Sequence, residues 1–574
     1  MLTSKNMTNR QIAELLIDVA AAHQLVDPKT YKFQIIAYNR AASSVEHATS
    51  ELKDLWDDGK LDSVPGIGKS IAGHLSEIFS TGKSRHFEQI SKGIPVEVFK
   101  LMELPGIGIK TAIKMVKEES KTEIKKKLDE VNKIRNKNKR HLLPYAQKIA
   151  SELTKWLLDD LNCKNVQVLG SLRRKVATIG DIDIAVATNN PVKTIEHFVN
   201  FPKLQKIIEK GDKTASILVP GGVSVDLLVS SVDSFGSALQ HFTGSKFHNI
   251  ALREYANKLG YSLSEYGIKK KKSKKETSAS TVNKFRDEKS FYNFLKLDYI
   301  EPEIREGTDE IKASMNHTLP KLVEVGDLKG DLHIHSNYDI ETSHDLGLSS
   351  MKDLVKKANE LKYEYLAMSE HNPSKSKHTE AQIVDILKRK REKVEQLNYS
   401  LSKTKNNSVK KVFNSLEIDI MPDGLLPVSG VGLQTLDFAI VSVHSSFRLK
   451  RNEMTKRVLS ALAHPKVLIF AHPVARKINQ REGIDLNWEQ IFEFCVKNNK
   501  ILEINSSPAR LDLPDLLVRD AVNAGVKMSI NTDSHHLDHM DGIGNGVSVA
   551  RRGWCEKKDI INTMSLEKFK EVIQ

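Results

Sequence analysis

Three aspartates stand where the local sequence would turn them to one side of a sheet. In Gly180-Asp181-Ile182-Asp183 the acids alternate with isoleucine, so Asp181 and Asp183 project together while Ile182 and Ile184 face the opposite way. The third, Asp226, lies in the alternating run VSVDLLV, with Val225 and Leu227 on the other face. Crowded carboxylates repel one another and are tolerated chiefly where divalent cations neutralise them. Three acids on neighbouring strands suit a pair of Mg2+ or Mn2+ ions, about 3.5–4 Å apart, working on a phosphoryl group. Just upstream, in GSLRR, Gly170 and Ser171 offer donors to phosphate and Arg174 a bidentate charge. The structural alternative is a set of acidic strand ends that cap helices.

A second constellation opens at Asp331-Leu332-His333-Ile334-His335-Ser336, which puts two imidazoles on one face of a strand. Further members fall at or near the ends of apolar runs: Glu370-His371 after YLAMS, Glu417 in NSLEIDIMPDG, His444 after DFAIVSV, His472 after VLIFA, and Asp533 and His535 in SINTDSH. Strand C-termini of a parallel barrel converge on one mouth, where such folds keep their chemistry. Imidazole plus carboxylate suits two or three Mn2+, Zn2+ or Fe2+ ions and metal-assisted phosphoester hydrolysis. Scattered structural histidines are the alternative, and that reading needs every member to reach a strand end by coincidence.

The elements that must position these residues change texture along the chain. About the first 130 residues read as helical and carry a repeat 40 residues apart, Val64-Pro65-Gly66-Ile67-Gly68-Lys69 and Leu104-Pro105-Gly106-Ile107-Gly108-Ile109, each before a helical pattern. A Gly-x-Gly turn between helices presents backbone N–H groups that can hold a phosphate without reading the base. From about Val166 the pattern turns to strand, with Pro220-Gly221-Gly222 as a hairpin turn, and helix and polar loop follow to about residue 310. Lys269 to Lys275 holds six lysines in seven positions and reads as a solvated loop. Beyond Gly330, short apolar strands alternate with helical stretches, as in an α/β barrel.

Charge supports an anionic partner for the first part. Of the 574 residues, 87 are Lys or Arg against 73 Asp or Glu, a net +14. Before Asp331 the balance is 52 basic to 41 acidic, and from Asp331 onward 35 to 32. Each cation that neutralises a phosphate releases a condensed counterion. Cys163, Cys495 and Cys555 are odd in number, far apart and without CxxC, which excludes a disulfide framework or zinc ribbon. No run of about 18 uncharged apolar residues suggests a membrane span, and the amino-terminal stretch lacks a cleavage pattern. A reducing cytoplasm is the expected setting.

The order GSLRR, GDID, VDLLV and HFTGSKFHNIALR resembles the family X DNA polymerases, with the nucleotidyltransferase fold of polymerase β, over roughly residues 5 to 310. Both glycine repeats resemble helix-hairpin-helix motifs, which would place Gly66, Gly68, Gly106 and Gly108 against a DNA backbone. The resemblance implies that Asp181 and Asp183 bind both catalytic metals and that Asp226 positions the primer 3′-hydroxyl. It further implies that Gly170, Ser171, Arg174 and Gly180 serve the triphosphate and that Phe242, Thr243 and Gly244 lie along the sugar. Asn249 would reach the minor-groove edge of the new base, and Arg253 the template. Two departures stand out: His241 occupies the place of a tyrosine, and His74 that of the Schiff-base lysine of the lyase site, so classical lyase chemistry there is not expected.

From about residue 329 to 570 the chain resembles the PHP (polymerase and histidinol phosphatase) domain, a match extended by PARLDLPDLLVRDA and VSVARRGW. Carried over, its metal ligands are His333, His335, His371, Glu417, His444, His472, Asp533, His535 and an Asp after the first motif. Within NYDIETSHDLG that Asp is Asp345, by its spacing to the following helix, with Asp339 the other choice. Glu370 is expected to orient an imidazole from behind.

The expected fold is therefore multidomain. Residues 1–90 form a helical DNA-binding domain with the first helix-hairpin-helix, and 91–140 a helical fingers-like region with the second. The α+β palm takes 141–232, the thumb 233–312 and a linker 313–329. The distorted α/β barrel takes 330–574. The function implied is a repair polymerase that fills short gaps, joined to a 3′–5′ exonuclease or 3′-end-processing activity, with abasic-site cleavage a further option. Its partners would be gapped or primer–template DNA and dNTPs, with no membrane and the chain a monomer. A small-molecule phosphatase in the barrel, or a DNA-binding scaffold with an idle polymerase site, remain the alternatives.

Overall fold

The structure, a computed structural model, describes residues 7, 9–46, 52–57, 61, 67–102, 109–118, 123–124, 140–271, 281–404, 406–481 and 483–573. They fall into two compact units, Met1–Lys139 with Arg476–Ile484, and Arg140–Ala475 with Asp485–Gln574. No helix among the described residues is long and apolar enough to cross a membrane.

The first unit is helical. In Asn9–Val26 the apolar positions Ile12, Leu15, Leu16 and Val19 recur at helical spacing and are buried together with Tyr38, Ala41 and Val45 of the helix Lys32–Glu46. Lys69–Thr81 adds Ile71, Leu75, Ile78 and Phe79 to this core. It stops at Gly82, whose φ of +87° lets the chain reverse while its N–H bonds to the Ile78 carbonyl. Val96–Leu101 and Ile109–Glu118 pack through Val98, Phe99, Leu101, Ile109 and Ala112 in a smaller core.

In the second unit two short strands, β1 (His141–Leu142) and β3 (Thr178–Ile179), pair antiparallel beside the palm. The palm sheet comprises β2 (Cys163–Val168), β4 (Ile182–Thr188), β5 (Lys206–Lys210), β6 (Thr214–Val219) and β7 (Val223–Ser230), in the order β2-β4-β7-β6-β5. Only its central pair, β4 and β7, is parallel. Ile182, Ile184 and Val186 of β4 join Val225 and Leu227 of β7 against the helix Leu143–Leu158. Ala185 and Ala187 face the other way, onto Phe235 and Leu239 of the helix Phe235–Thr243. Alternation thus carries Asp183 to the side of the sheet that the thumb approaches.

The thumb follows with Phe235–Thr243, Lys246–Lys258, Glu288–Phe294 and a small antiparallel sheet of β8 (Tyr261–Ser264), β9 (Gly267–Lys270) and β10 (Val282–Asn283). Lys269 and Lys270, expected in a loop, are exposed residues of the middle strand, held there by pairing on both edges. Palm and thumb are joined by a buried charge cluster. Glu288 accepts from Arg173 Nη2 at 2.5 Å and from Arg305 Nη1 at 2.6 Å, and Arg305 also lies over the rings of Tyr292 and Tyr299. Burial alone would raise the Glu288 carboxyl, but Arg305 and Arg173 hold it below the ordinary value.

The last part holds eight strands, all paired parallel: β11 (Gly330–Ile334), β12 (Tyr365–Met368), β13 (Lys411–Asn414), β14 (Glu417–Asp419), β15 (Ala439–Ser442), β16 (Val467–Phe470), β17 (Ile501–Asn505) and β18 (Met528–Asn531). A bridge between Ile334 and Ser534 and a bond from His335 N to Ser534 O (2.8 Å) close the ring irregularly. Near the strand starts it is filled by Tyr365, Phe413, Phe438 and Phe569, the last from the helix Leu566–Ile573. The segment 313–329, expected as a linker, packs down instead: Leu322 and Val323 are buried, and Val323 N bonds to Cys555 O.

Removing the Glu288 carboxylate strands two largely buried guanidinium groups. Glu288→Ala is expected to destabilise the palm–thumb unit by about 3–5 kcal/mol. Because the folded carboxyl is held below its unfolded value, its contribution is present above that value and is lost as pH falls. Denaturant melts of parent and variant at neutral and acid pH check this, with the gap closing on the acid side.

Candidate active sites

Strand register brings the first acids together. β4 and β7 pair with Asp183 directly opposite Asp226, and Asp181 precedes Asp183 by two residues at the strand entrance. Burial first, then the neighbouring Asp181 and Asp226, push Asp183 up to about 7, with Arg174 pulling the other way. Leu169 N donates to Asp183 O at 2.8 Å, which fixes the start of the one-turn helix Gly170–Arg173 beside the acids. Gly170 has φ of +55°, and a side-chain carbon there would overlap Asp183 Oδ2. Ser171 sits within that turn, and Gly180 in the bend between β3 and β4.

The thumb supplies the opposite wall. Arg174 Nη1 donates to Thr243 O at 2.5 Å, and its Nε to Glu306 at 3.2 Å. Gly244 lies against the same guanidinium, so that a Cβ would stand 3.0 Å from Nη1. Ser245 Oγ caps the helix Lys246–Lys258. Asn249 in its first turns is oriented at both ends of its amide, accepting from Gln240 (2.9 Å) and donating to His241 O (2.7 Å). Phe242 is half-buried, its ring edge-on to His241, and Arg253 is exposed on the helix Lys246–Lys258. Burial lowers the His241 imidazole.

In the helical unit Gly68 is the N-cap of Lys69–Thr81, with Ala72 N bonded to its carbonyl. Gly66, Gly106 and Gly108 lie outside the described residues. His74 is on that helix, stacked on His86 at 4.4 Å, and burial followed by the charge of His86 lowers it. It offers no amine.

The barrel mouth gathers the second constellation around one carboxylate. Buried Glu417 lies 3.1 Å from His371 Nδ1, 3.2 Å from His333 Nε2 and 3.4 Å from His335 Nε2 through one oxygen, and 2.9 Å from His472 Nε2 and 3.4 Å from His444 Nε2 through the other. Asp533 Oδ1 lies 3.2 Å from His335 Nε2, and His535 stacks on His335 at 4.1 Å. His333 Nε2, His335 Nε2, His371 Nδ1 and Glu417 Oε2 are buried without a well-formed hydrogen bond and lie close around common space. Burial alone would raise Glu417, yet His371, His333 and His444 hold it well below the carboxylate range. Burial lowers His371, and brings His472 down to about 4. His333 is pushed well up against its burial by Glu503, Glu417 and Asp533.

The third position differs from expectation. His344 groups with His371 and His444, its ring 4.6 Å and 4.9 Å from theirs, whereas among the described residues neither Asp345 nor Asp339 belongs to any such group. Asp339 is instead turned to its own loop, accepting from Glu341 N. Asp419 decides the register: its two oxygens take His344 Nε2 and His444 Nδ1, each at 2.7 Å, and draw His344 inward.

Other buried groups orient the cluster. Glu503, an acid inside the apolar strand ILEIN, accepts from His333 Nδ1 (2.8 Å), His472 N and Asn531. Asp331 accepts from Thr532 Oγ1 and His333 N, and burial raises it to about 7. Glu370 holds no imidazole, contrary to expectation. It binds Lys390 Nζ at 2.7 Å and Ser336 Oγ at 2.5 Å, bracing the backbone after His335. Arg510 lies 3.6 Å from Asp533 and is mostly buried, a fixed cation at the edge of the cluster.

Comparison with known proteins agrees with this layout. A family model described as DNA polymerase beta thumb matches residues 238–306, and one described as a helix-hairpin-helix domain matches 7–84. A Bacillus subtilis (strain 168) protein named DNA polymerase/3'-5' exonuclease PolX is 30% identical over 589 aligned positions, covering 98% of both chains. DNA polymerase lambda of Rattus norvegicus is 24% identical, over 52% of this chain and 56% of its own, and that of Arabidopsis thaliana 24%, over 52% and 62%.

The crowded palm carboxylates oppose folding when no cation is supplied. With Asp183 raised to about 7 from 3.8, the folded state keeps its proton while the unfolded state loses it. Metal-free stability therefore falls as pH rises from about 4 to 7. Asp183→Asn should raise the metal-free melting temperature at pH 8 and leave it unchanged below pH 4, as read by calorimetry in chelator.

Proposed function

The chain belongs to the family X DNA polymerases that carry a C-terminal PHP domain, and on that premise we propose how its two clusters divide the work. Its activities are DNA synthesis and 3′–5′ exonuclease action. Synthesis, the filling of short gaps in repair, is assigned to the palm acids, and removal of 3′ nucleotides to the barrel mouth. The observation that carries this division is that the two clusters are built in separate parts of the fold, Asp183 against Asp226 on β4 and β7 of the palm and Glu417 amid five histidines at the barrel mouth.

Both donor sets fit divalent cations. In the palm, oxygen donors alone, with Asp183 raised by burial and then by its acidic neighbours, suit Mg2+ or Mn2+. At the barrel mouth the buried, converging nitrogens and carboxylate oxygens suit Mn2+, Zn2+ or Fe2+, held by His333, His335, His344, His371, Glu417, His444, His472, Asp533 and His535. When bound, such ions supply Lewis acidity at phosphorus and ease deprotonation of the attacking oxygen.

The protein's own groups do the rest. Gly170, Ser171 and Arg174 receive the triphosphate, the arginine already aimed by Thr243 and Glu306. Asp226 stands where it can orient a primer 3′-hydroxyl beside Asp183. Thr243 and Gly244 bound the sugar, and Asn249, fixed by Gln240 and His241, keeps a donor for the base edge. At the barrel, Glu503 and Asp419 fix the rings of His333, His344 and His444, and Arg510 offers a positive charge to the scissile phosphate.

Asp226→Ala should abolish nucleotide addition on a gapped duplex with Mg2+ or Mn2+ and leave 3′ degradation intact, while His335→Ala or Asp533→Ala should do the reverse. Loss of both activities from one substitution, in a protein that still melts normally, would contradict the division. Metal content separates the third-position candidates. His344→Ala should lower bound Mn2+ per chain and slow degradation by about 10–100-fold, and Asp345→Ala should leave both near the parent.

A further inference from the structure

The run Val-Ala-Arg-Arg-Gly-Trp ends the helix Ile543–Arg552 of the barrel domain with a pair of arginines that belongs to neither active site. Both reach across to the polymerase part. Arg551 binds Glu303 at 2.9 Å and Val323 O at 3.3 Å, on the outer side of that junction. Arg552 goes further in, its side chain 9% exposed. Its Nη1 donates to the main-chain oxygen of Arg174 at 2.9 Å and to Glu306 Oε1 at 2.8 Å, while Nε and Nη2 hold Asp515 Oδ2 at 2.7 and 2.6 Å. Glu306 Oε1 is the same oxygen that takes Arg174 Nε. One carboxylate oxygen therefore joins a guanidinium of the barrel domain to the guanidinium that faces the nucleotide.

Arg174 is thereby held at three points: its carbonyl by Arg552, its Nε by Glu306, and its Nη1 by Thr243 O. A flexible arginine aimed before the ligand arrives loses less freedom on binding, and a small displacement of such a group weakens its contact with phosphate. Glu306 is half-exposed and shared between two cations; without Arg552 it would be free to close fully on Arg174 and draw it away from the nucleotide.

We propose that Arg552 is a positioning residue of the nucleotide site, through which the phosphoesterase domain fixes Arg174 for the incoming triphosphate. The inference rests on the assignment of Arg174 to that triphosphate.

The test uses the full chain, with single-nucleotide insertion on a gapped duplex in Mg2+ across a dNTP series, degradation of a single-stranded oligonucleotide in Mn2+, and a melting curve. Arg552→Ala should raise the KM for dNTP about tenfold, with kcat within about twofold. The degradation rate should not change. Arg552→Lys, which keeps the charge for Glu306 but not the fork, should lie between. Arg551→Ala should leave KM at the parental value. Because Arg552 acts through Arg174, the double variant with Arg174→Ala should be no worse than Arg174→Ala alone. An unchanged KM in Arg552→Ala, beside a raised KM in Arg174→Ala, overturns the inference and leaves the active-site reading standing. An additive double variant overturns it too, as does a parallel loss of kcat, degradation and melting temperature. If Arg174→Ala itself leaves KM unchanged, the triphosphate assignment falls and the inference with it.

Discussion

A carboxylate sealed from water among five imidazoles is the constraint on which the barrel is built. Glu417 could not stay ionised there without cationic or donor neighbours, because burial favours its neutral form. The protein meets this with positioned rings rather than with arginine or lysine. Several of the rings are held by a second carboxylate: Glu503 fixes His333 and Asp419 fixes His444. Imidazoles can give up their protons to an incoming cation, which fixed arginines or lysines could not. The palm works under the same constraint with fewer parts: three acids, two of them in register on adjacent strands, with Arg174 too committed elsewhere to neutralise them.

Rigid scaffolding follows from the need to hold repelling groups close. In the palm both faces of the central strands are covered, by Leu143–Leu158 on one side and Phe235–Thr243 on the other, so β4 and β7 cannot part to relieve their acids. In the barrel the same service comes from a closed ring of parallel strands plugged by aromatic side chains. Polar bracing appears where packing alone cannot aim a side chain, as in the Glu370–Lys390–Ser336 group below His335. Interactions between parts are likewise ionic and buried, with Arg173, Glu288 and Arg305 between palm and thumb.

Period-two alternation in GDID and VDLLV made the palm acids legible, because β-strand geometry alone decides which side chains share a face. The imidazoles at the ends of apolar runs were legible for a related reason, since each run could end only at the barrel mouth. His344 was hidden because loop register is set from outside the loop: Asp419, 75 residues later, chooses it over Asp345 next door. Glu503 did leave a signal, an acid with no polar neighbour period in ILEIN, which only a buried partner could explain. Lys390 left none, lying in a long amphipathic helix whose charged positions are otherwise mostly exposed. Contacts such as Arg552 to Arg174 join residues 378 apart and are written in no local pattern.

On the reading proposed for the two clusters, both hold divalent cations against phosphorus. Anomalous diffraction at the manganese edge, from crystals grown with Mn2+, gapped DNA and a non-hydrolysable nucleotide, tests it directly. Separate peaks are expected beside Asp183 and Asp226, with two or three more beside Glu417, His335 and Asp533. Peaks confined to the protein surface, with the palm acids and barrel imidazoles paired only to protein atoms, would contradict it.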